Sequence, residues 1–270
     1  MDETLRIMMD IAREAAAEVY RIYQGSFQVD YKGPNDPVTE ADRQANELIC
    51  SRLEMAFPGV PVVAEESSPD RWNHFRSHNQ VFFVDPIDGT REFVAKNGQF
   101  VVMIGLLAGD TPTHGVLHAP ASDTVWAGNL SDGAIKIEAS GATTQLSTLT
   151  GPTLDQATVA VPLSHHPEKQ RALLQALGTE KTFPIASTGL KGAALADGRA
   201  HVYLSPGRAG YFWDTCAPEA IIRSLGGAFT DAAGVPIDYR ATTVENVNGA
   251  VAAAPALHSE VIRALREQIR

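Results

Sequence analysis

Apolar residues recur at helical spacing from the start of the chain. Leu5, Met8, Ala12, Ala15, Val19 and Ile22 fall on one face, which predicts a long helix over residues 3–24 that ends near Gly25. Ala45, Leu48, Ile49, Leu53 and Ala56 mark a second helix, closed by Pro58-Gly59. Short apolar runs at 60–64 and 81–84 then read as buried strands. Residues 101–107, a Gly109-Asp110 turn and residues 115–118 read as an antiparallel hairpin, with further strands expected at 124–127 and 134–138. This half is an α+β arrangement, two helices against a sheet.

Residues 139–156 are rich in Ser, Thr and Gly and poor in apolar residues, and they form the best candidate boundary. Beyond them the pattern alternates: strand 157–161, helix 167–177, strand 182–185, helix 189–197, strand 201–204. A helix at 216–225, strands at 227–230 and 249–254, and a terminal helix at 256–269 complete it. Alternation of this kind predicts an α/β half with helices on both faces of its sheet. The expected division is therefore 1–145 and 146–270.

Composition narrows the function classes. The 270 residues carry 22 basic and 32 acidic side chains, a formal charge of −10, with no basic cluster. That argues against a nucleic-acid polymer as partner, since such binding neutralises phosphates with Lys and Arg. No apolar run is long enough to span a membrane. The start, Met1-Asp2-Glu3-Thr4, is acidic and leads into an amphipathic helix, unlike a signal peptide. Cys50 and Cys216 read as reduced core residues, and a cytoplasmic location is expected.

The chemistry concentrates in Val81-Phe82-Phe83-Val84-Asp85-Pro86-Ile87-Asp88-Gly89-Thr90. A buried strand stops abruptly there and delivers two carboxylates, Asp85 and Asp88, into a tight turn. Hard cations such as Mg2+ need oxygen ligands, and the turn also offers the Ile87 carbonyl. Gly89 lets the backbone approach a ligand closely, and the amides of Gly89 and Thr90 could receive a phosphate. Other acids fit the same site. Val60–Ala64 ends in Glu65 and Glu66, Asp214 lies at or just before the N-terminus of the 216–225 helix, and Asp42 closes a capping box begun by Thr39. Singly, each has an ordinary reading as a cap or a solvated acid. Together, acids at the ends of two strands and two helices suit a shared two-metal cage.

The set Glu65-Glu66, Asp85-Pro86-Ile87-Asp88-Gly89-Thr90 and Trp213-Asp214 resembles the inositol monophosphatase superfamily of metal-dependent, lithium-sensitive phosphatases. The likeness runs over nearly the whole chain, in the family's order. Arg91-Glu92-Phe93, Asn97-Gly98-Gln99-Phe100, Ser205-Pro206-Gly207 and the Trp213–Glu219 run are similar to the 3'(2'),5'-bisphosphate nucleotidase branch. The branch's Ser-His pair is matched by Ser164-His165, and its small-residue turn and lysine by Ser187 to Lys191. This chain departs from the bacterial members at Pro162 and Leu163, where a Ser and a basic residue are usual.

The resemblance implies a layered αβαβα sandwich with the site between the halves. It implies two or three Mg2+: Glu65, Asp85 and the Ile87 carbonyl would hold one ion, and Asp85, Asp88 and Asp214 the second. Thr90, with Asp42 or Glu65, would orient the attacking water or take its proton. Gly89, Thr90, Ser164, His165, Ser187 and Lys191 would bind substrate. Three functions follow. One is a nucleotidase of sulfur metabolism, removing the 3'-phosphate of adenosine 3',5'-bisphosphate. Another is a phosphatase for inositol phosphates or other small phosphate esters. The last is a noncatalytic phosphometabolite-binding protein. Retention of Glu65, Asp85, Asp88, Thr90 and Asp214 counts against the last. Oligomeric state is left open.

Overall fold

The computed structural model describes residues 2–34, 36–163 and 167–268. The chain opens with α1 (Glu3–Gln24), whose N-terminus is capped by the Asp2 carboxylate accepting from the Leu5 amide. A two-stranded antiparallel hairpin, β1 (Val29–Gly33) and β2 (Asp36–Thr39), leads into α2 (Glu40–Ala56). A seven-stranded sheet follows: β3 (Val62–Ala64), β4 (Gln80–Asp88), β5 (Val101–Ala108), β6 (Thr111–Ala119), β7 (Thr124–Asn129), β8 (Gly133–Ile137) and β9 (Thr143–Gln145). The strands lie in chain order, and every pair but the parallel β3–β4 is antiparallel. A short helix, α3 (Thr90–Val94), sits between β4 and β5.

The second sheet has five strands in the order β11 (Thr182–Pro184), β10 (Val159–Val161), β12 (Val202–Ser205), β14 (Ala250–Ala253), β13 (Ala228–Thr230). The first three run parallel, whereas β14 is antiparallel to both its neighbours. Its helices are α4 (Pro167–Leu177), α5 (Thr188–Ala196), α6 (Phe212–Ser224) and α7 (Pro255–Gln268).

Alternation along each strand sorts these elements into five layers. Val102 and Ile104 of β5 pack in one core with Leu5, Met8 and Val19 of α1 and Ile49 and Leu53 of α2. Their neighbours Val101 and Met103 face the other way, into a core shared by α5, α6 and residues Tyr203, Ala250 and Ala252 of the second sheet. That sheet's far face, with Val202, Leu204 and Val251, is covered by Leu257, Val261 and Leu265 of α7. The expected αβαβα sandwich is the observed one.

Two glycines set how closely the central layer approaches the first sheet. A Cβ at Gly105 would stand 2.7 Å from the Ala217 amide nitrogen, and one at Gly115 would fall on the Ala217 carbonyl. Both positions must stay bare for α6 to lie against β5 and β6, and α6 carries Asp214. Among the described residues, no helix is long and apolar enough to cross a membrane.

Three expectations need correction. The strand expected to stop at Val84 continues through Asp88, because a bulge absorbs the proline and keeps β4 paired to β5, Asp85 opposite Met103 and Asp88 opposite Val101. The helix expected at 216–225 starts at Phe212, so Asp214 lies within its first turn and not before it. The β1–β2 hairpin and β9 were not anticipated, because their mostly exposed residues show little apolar alternation.

Candidate active site

The β4 bulge is the first structural device of the site. In a regular strand, residues three apart point to opposite faces. Here one extra residue between Asp85 and Asp88 restores a common face, and Ile87 turns instead into the α1–α2 core. Asp88 then points toward α5. Its Oδ2 accepts from the Ser187 hydroxyl at 2.7 Å and the Gly189 amide at 2.6 Å. Asp85 folds back on its own turn, with Oδ1 accepting from the Ile87 amide at 2.9 Å.

From the other sheet's side, α6 brings Asp214, whose Oδ2 accepts from the Tyr211 amide at 2.6 Å. Oxygens of Asp85, Asp88 and Asp214 all lie within 4.8 Å of one another. Burial first, and then repulsion from neighbouring carboxylates, Glu65 and Asp88 foremost, push the Asp85 and Asp214 carboxyls well above the usual range. Three buried carboxylates crowded this closely need a compensating cation, and their all-oxygen donor set fits a hard one such as Mg2+.

Glu65 lies near enough to add to the field on Asp85 and Asp214, although it is not one of the three clustered acids. Its carboxylate is bound at 2.7 Å by Lys32 of β1, which bonds Glu66 at the same distance. Burial and the nearby Glu66 and Asp42 charges outweigh Lys32 and push Glu65 up to about 7.

Asp42 and Thr90 meet beside the same cluster. Asp42 sits in the first turn of α2, where Oδ2 accepts from the Thr39 amide at 2.7 Å and the Thr39 hydroxyl at 2.6 Å. Its Oδ1 faces the Thr90 hydroxyl at 3.0 Å, and that hydroxyl is also 3.1 Å from the Ile87 carbonyl. A Thr90 proton given to either acceptor leaves the oxygen's lone pairs to accept from a water. Burial dominates in raising Asp42, opposed by the Thr39 bonds.

Gly89 is also required by the fold itself. Its φ of 102° lies in the left-handed region, and a Cβ there would stand 2.8 Å from the Gln99 carbonyl oxygen. A side chain there would collide with the chain's own backbone. Ser187 donates its hydroxyl to Asp88 and caps α5 by accepting from the Leu190 amide at 3.0 Å. Ser164 and His165 lie outside the described residues.

A cavity of about 280 Å³ opens beside these groups, lined by Asp36, Asp88, Thr90, Pro162, Leu163 and Lys191 among others. Burial lowers the Lys191 pKa, opposed by the charges of Asp88, Glu92 and Asp214, and Arg91 lines the same cavity. Lys32 and Asp36 were missed. The Gly33-Pro34 pair between them is a turn signal that would have marked the hairpin.

The family model described as "Inositol monophosphatase family" matches residues 1–270. This chain belongs to the inositol monophosphatase family. Within the family it is similar to 3'(2'),5'-bisphosphate nucleotidase CysQ of Escherichia coli strain K12. The two are 33% identical over 232 residues, 85% of this chain and 91% of that protein. The Haemophilus influenzae protein of the same name is 29% identical over 246 residues, 88% of each chain. Among solved structures, CysQ from Bacteroides thetaiotaomicron superposes with a TM-score of 0.78 at 25% identity, covering 93% of this chain and 97% of that one. The extragenic suppressor protein suhB from Bartonella henselae gives 0.82 at 24% identity, covering 98% and 99%, and so shares the family fold.

Proposed function

We propose that this family member is a Mg2+-dependent phosphomonoesterase that removes the 3'-phosphate of adenosine 3',5'-bisphosphate, giving AMP and phosphate. The observation that carries the reaction class is the buried Asp85–Asp88–Asp214 cluster, close to the Thr90–Asp42 pair and Lys191. The choice of substrate rests on the likeness to the CysQ nucleotidases.

Glu65, Asp85 and the Ile87 carbonyl would hold one ion, and Asp85, Asp88 and Asp214 another. Bound there, Mg2+ lowers the pKa of a coordinated water and offsets charge on the leaving oxygen. The chain's own residues do the rest. Asp42 holds the Thr90 hydroxyl so that its oxygen accepts from the attacking water and aims it. The Gly89 and Thr90 amides, at the start of α3, receive the scissile phosphate. Ser187 fixes the orientation of Asp88. Lys191 pairs with the phosphate that is retained, together with Ser164 and His165. In this reading residues 1–145 supply most of the metal ligands and the water, and residues 146–270 supply Asp214 and the recognition of substrate. A cytoplasmic setting fits the two buried, unpaired cysteines.

Pro162 and Leu163 favour keeping a second substrate in view, because they put apolar surface on the cleft wall. A phosphate-release panel with Mg2+ decides, comparing adenosine 3',5'-bisphosphate, inositol 1-phosphate and fructose 1,6-bisphosphate. The bisphosphate nucleotide should have the highest kcat/KM. A preference for inositol 1-phosphate would move the assignment to the broader phosphatase, and no release from any substrate would end the catalytic reading.

A further inference from the structure

The turn that seats Asp214 is held from behind by a residue far away in sequence. The backbones of 209–212 and 244–246 pair: Ala209 N–H donates to the Asn246 carbonyl at 2.8 Å, Asn246 N–H to Gly210 at 2.9 Å, and Phe212 N–H to Val244 at 2.9 Å. The Asn246 carboxamide adds side-chain bonds to the same turn. Its Nδ2 lies 2.6 Å from the Tyr211 carbonyl oxygen, 3.4 Å from that of Ala209 and 3.1 Å from the Thr215 hydroxyl oxygen. Asn246 is only 6% exposed, so this polar group has been buried to make those bonds.

The front of the turn is the Asp214 seat. Tyr211 N–H binds Oδ2, and Gly210 lies directly beneath, where a Cβ would fall on the Asp214 carboxylate. The peptide whose N–H orients Asp214 therefore adjoins the carbonyls that Asn246 grips. A shift of this turn would carry the carboxylate out of the group of oxygens it shares with Asp85 and Asp88.

We infer that Asn246 is a positioning residue for Asp214: by clamping the 209–211 turn it sets where that carboxylate stands and so tunes cation affinity. The inference rests on the reading of Asp214 as a metal ligand. A hydroxyl network adjoins the clamp, with Tyr239 OH 3.2 Å from Thr215 Oγ1 and 2.8 Å from Glu219 Oε2. Tyr239 touches Thr215 without bonding the turn's carbonyls, so it supplies a control for loss of buried hydrogen bonds in general.

The test titrates Mn2+ into the metal-free full chain, followed by calorimetry and by tryptophan fluorescence. Trp213 adjoins Asp214 and stacks on Tyr211 at 4.7 Å between ring centroids, so it reports on this turn. Orienting partners of metal ligands typically contribute about 10–100-fold in affinity. Asn246→Ala should weaken Mn2+ binding by about tenfold or more, and leave KM for the phosphate ester unchanged at saturating cation. Tyr239→Phe should lower Tm while Mn2+ affinity stays near wild type. Should Asn246→Ala fail to fold, Asn246→Ser, too short to reach the Tyr211 carbonyl, is judged by the same standard. Wild-type Mn2+ affinity in the Asn246 variants, or equal losses in the Asn246 and Tyr239 variants, overturns the positioning role alone. A wild-type chain that binds no Mn2+ brings down the metal reading of Asp214 and this inference with it.

Discussion

Asp42 and Asp214 occupy the same local position and meet different fates. Each is the third residue of a helix, α2 or α6, and each carboxylate reaches back to an amide three residues earlier. Asp42 is satisfied on both oxygens, by Thr39 and by Thr90. Asp214 is drawn into a cluster with Asp85 and Asp88, where crowding and burial penalise its charge. A capping motif fixes where an acid sits on a helix. Only what faces that helix decides whether the acid ends as a cap, a proton relay or a cation ligand.

The largest effect expected from breaking this comparison is at Asp214. Asp214→Asn and Asp85→Asn should each reduce Mg2+-dependent turnover by about a thousandfold, the equivalent of several kcal/mol of metal-borne charge stabilisation. Tm without metal should hold or rise, because each change removes a buried like charge. Phosphate release and thermal unfolding in EDTA check both. Near-normal turnover in either variant would remove the cluster from the chemistry.

On the Asp42 side, Thr90→Ala should lower kcat by about a hundredfold with little change in KM, since the hydroxyl is assigned to the water and not to substrate. Steady-state kinetics with saturating Mg2+ separates the two parameters. A rise in KM alone would turn Thr90 into a binding residue and leave Asp42 a plain cap.

Lys191 sharpens the contrast, because it faces Asp88 and Asp214 and lines the cleft. Losing one charge-assisted contact costs about 1.5–3 kcal/mol. Lys191→Ala should therefore lower kcat/KM for adenosine 3',5'-bisphosphate by roughly ten- to a hundredfold. A monophosphate ester should be scarcely affected. Equal losses on both substrates would place Lys191 outside recognition of the second phosphate.

The last effect falls on stability and not on turnover, and concerns Glu219, another buried acid of α6. Burial pushes it up to about 7, against the pull of its bonds to Tyr239 and Arg223. The folded chain then holds a proton that the unfolded chain, with an ordinary Glu, releases near pH 4.5. Its contribution to stability is present below about pH 4.5 and is lost as pH rises toward about 7. Glu219→Gln should flatten the Tm profile between those values, each unit of difference being worth about 1.4 kcal/mol. Thermal scans at several pH values in EDTA measure it. An unchanged slope would mean that Glu219 is ionised across the range.

Much of the site was legible locally because the signals are local. Apolar runs, the helical spacing of Leu5 to Ile22 and the Asp-Pro-Ile-Asp-Gly-Thr turn name their elements without reference to the rest of the chain. Likeness to the family added which acids belong together. The hairpin bearing Lys32 escaped notice because its first strand is largely exposed and neither strand carries an apolar period to read.

The sequence by itself therefore determined most of the elements and the acids at their ends, since backbone periodicity and capping act within a few residues, and likeness to the family supplied the five-layer order. Only the tertiary structure decided which way those acids face. The bulge that turns Asp88 to the side of Asp85, the use of Ser187 on Asp88, Lys32 against Glu65, and Asn246 behind Asp214 all join residues distant along the chain. Such contacts depend on how whole layers pack, as at bare Gly105 and Gly115 beneath α6, and no local pattern encodes that distance.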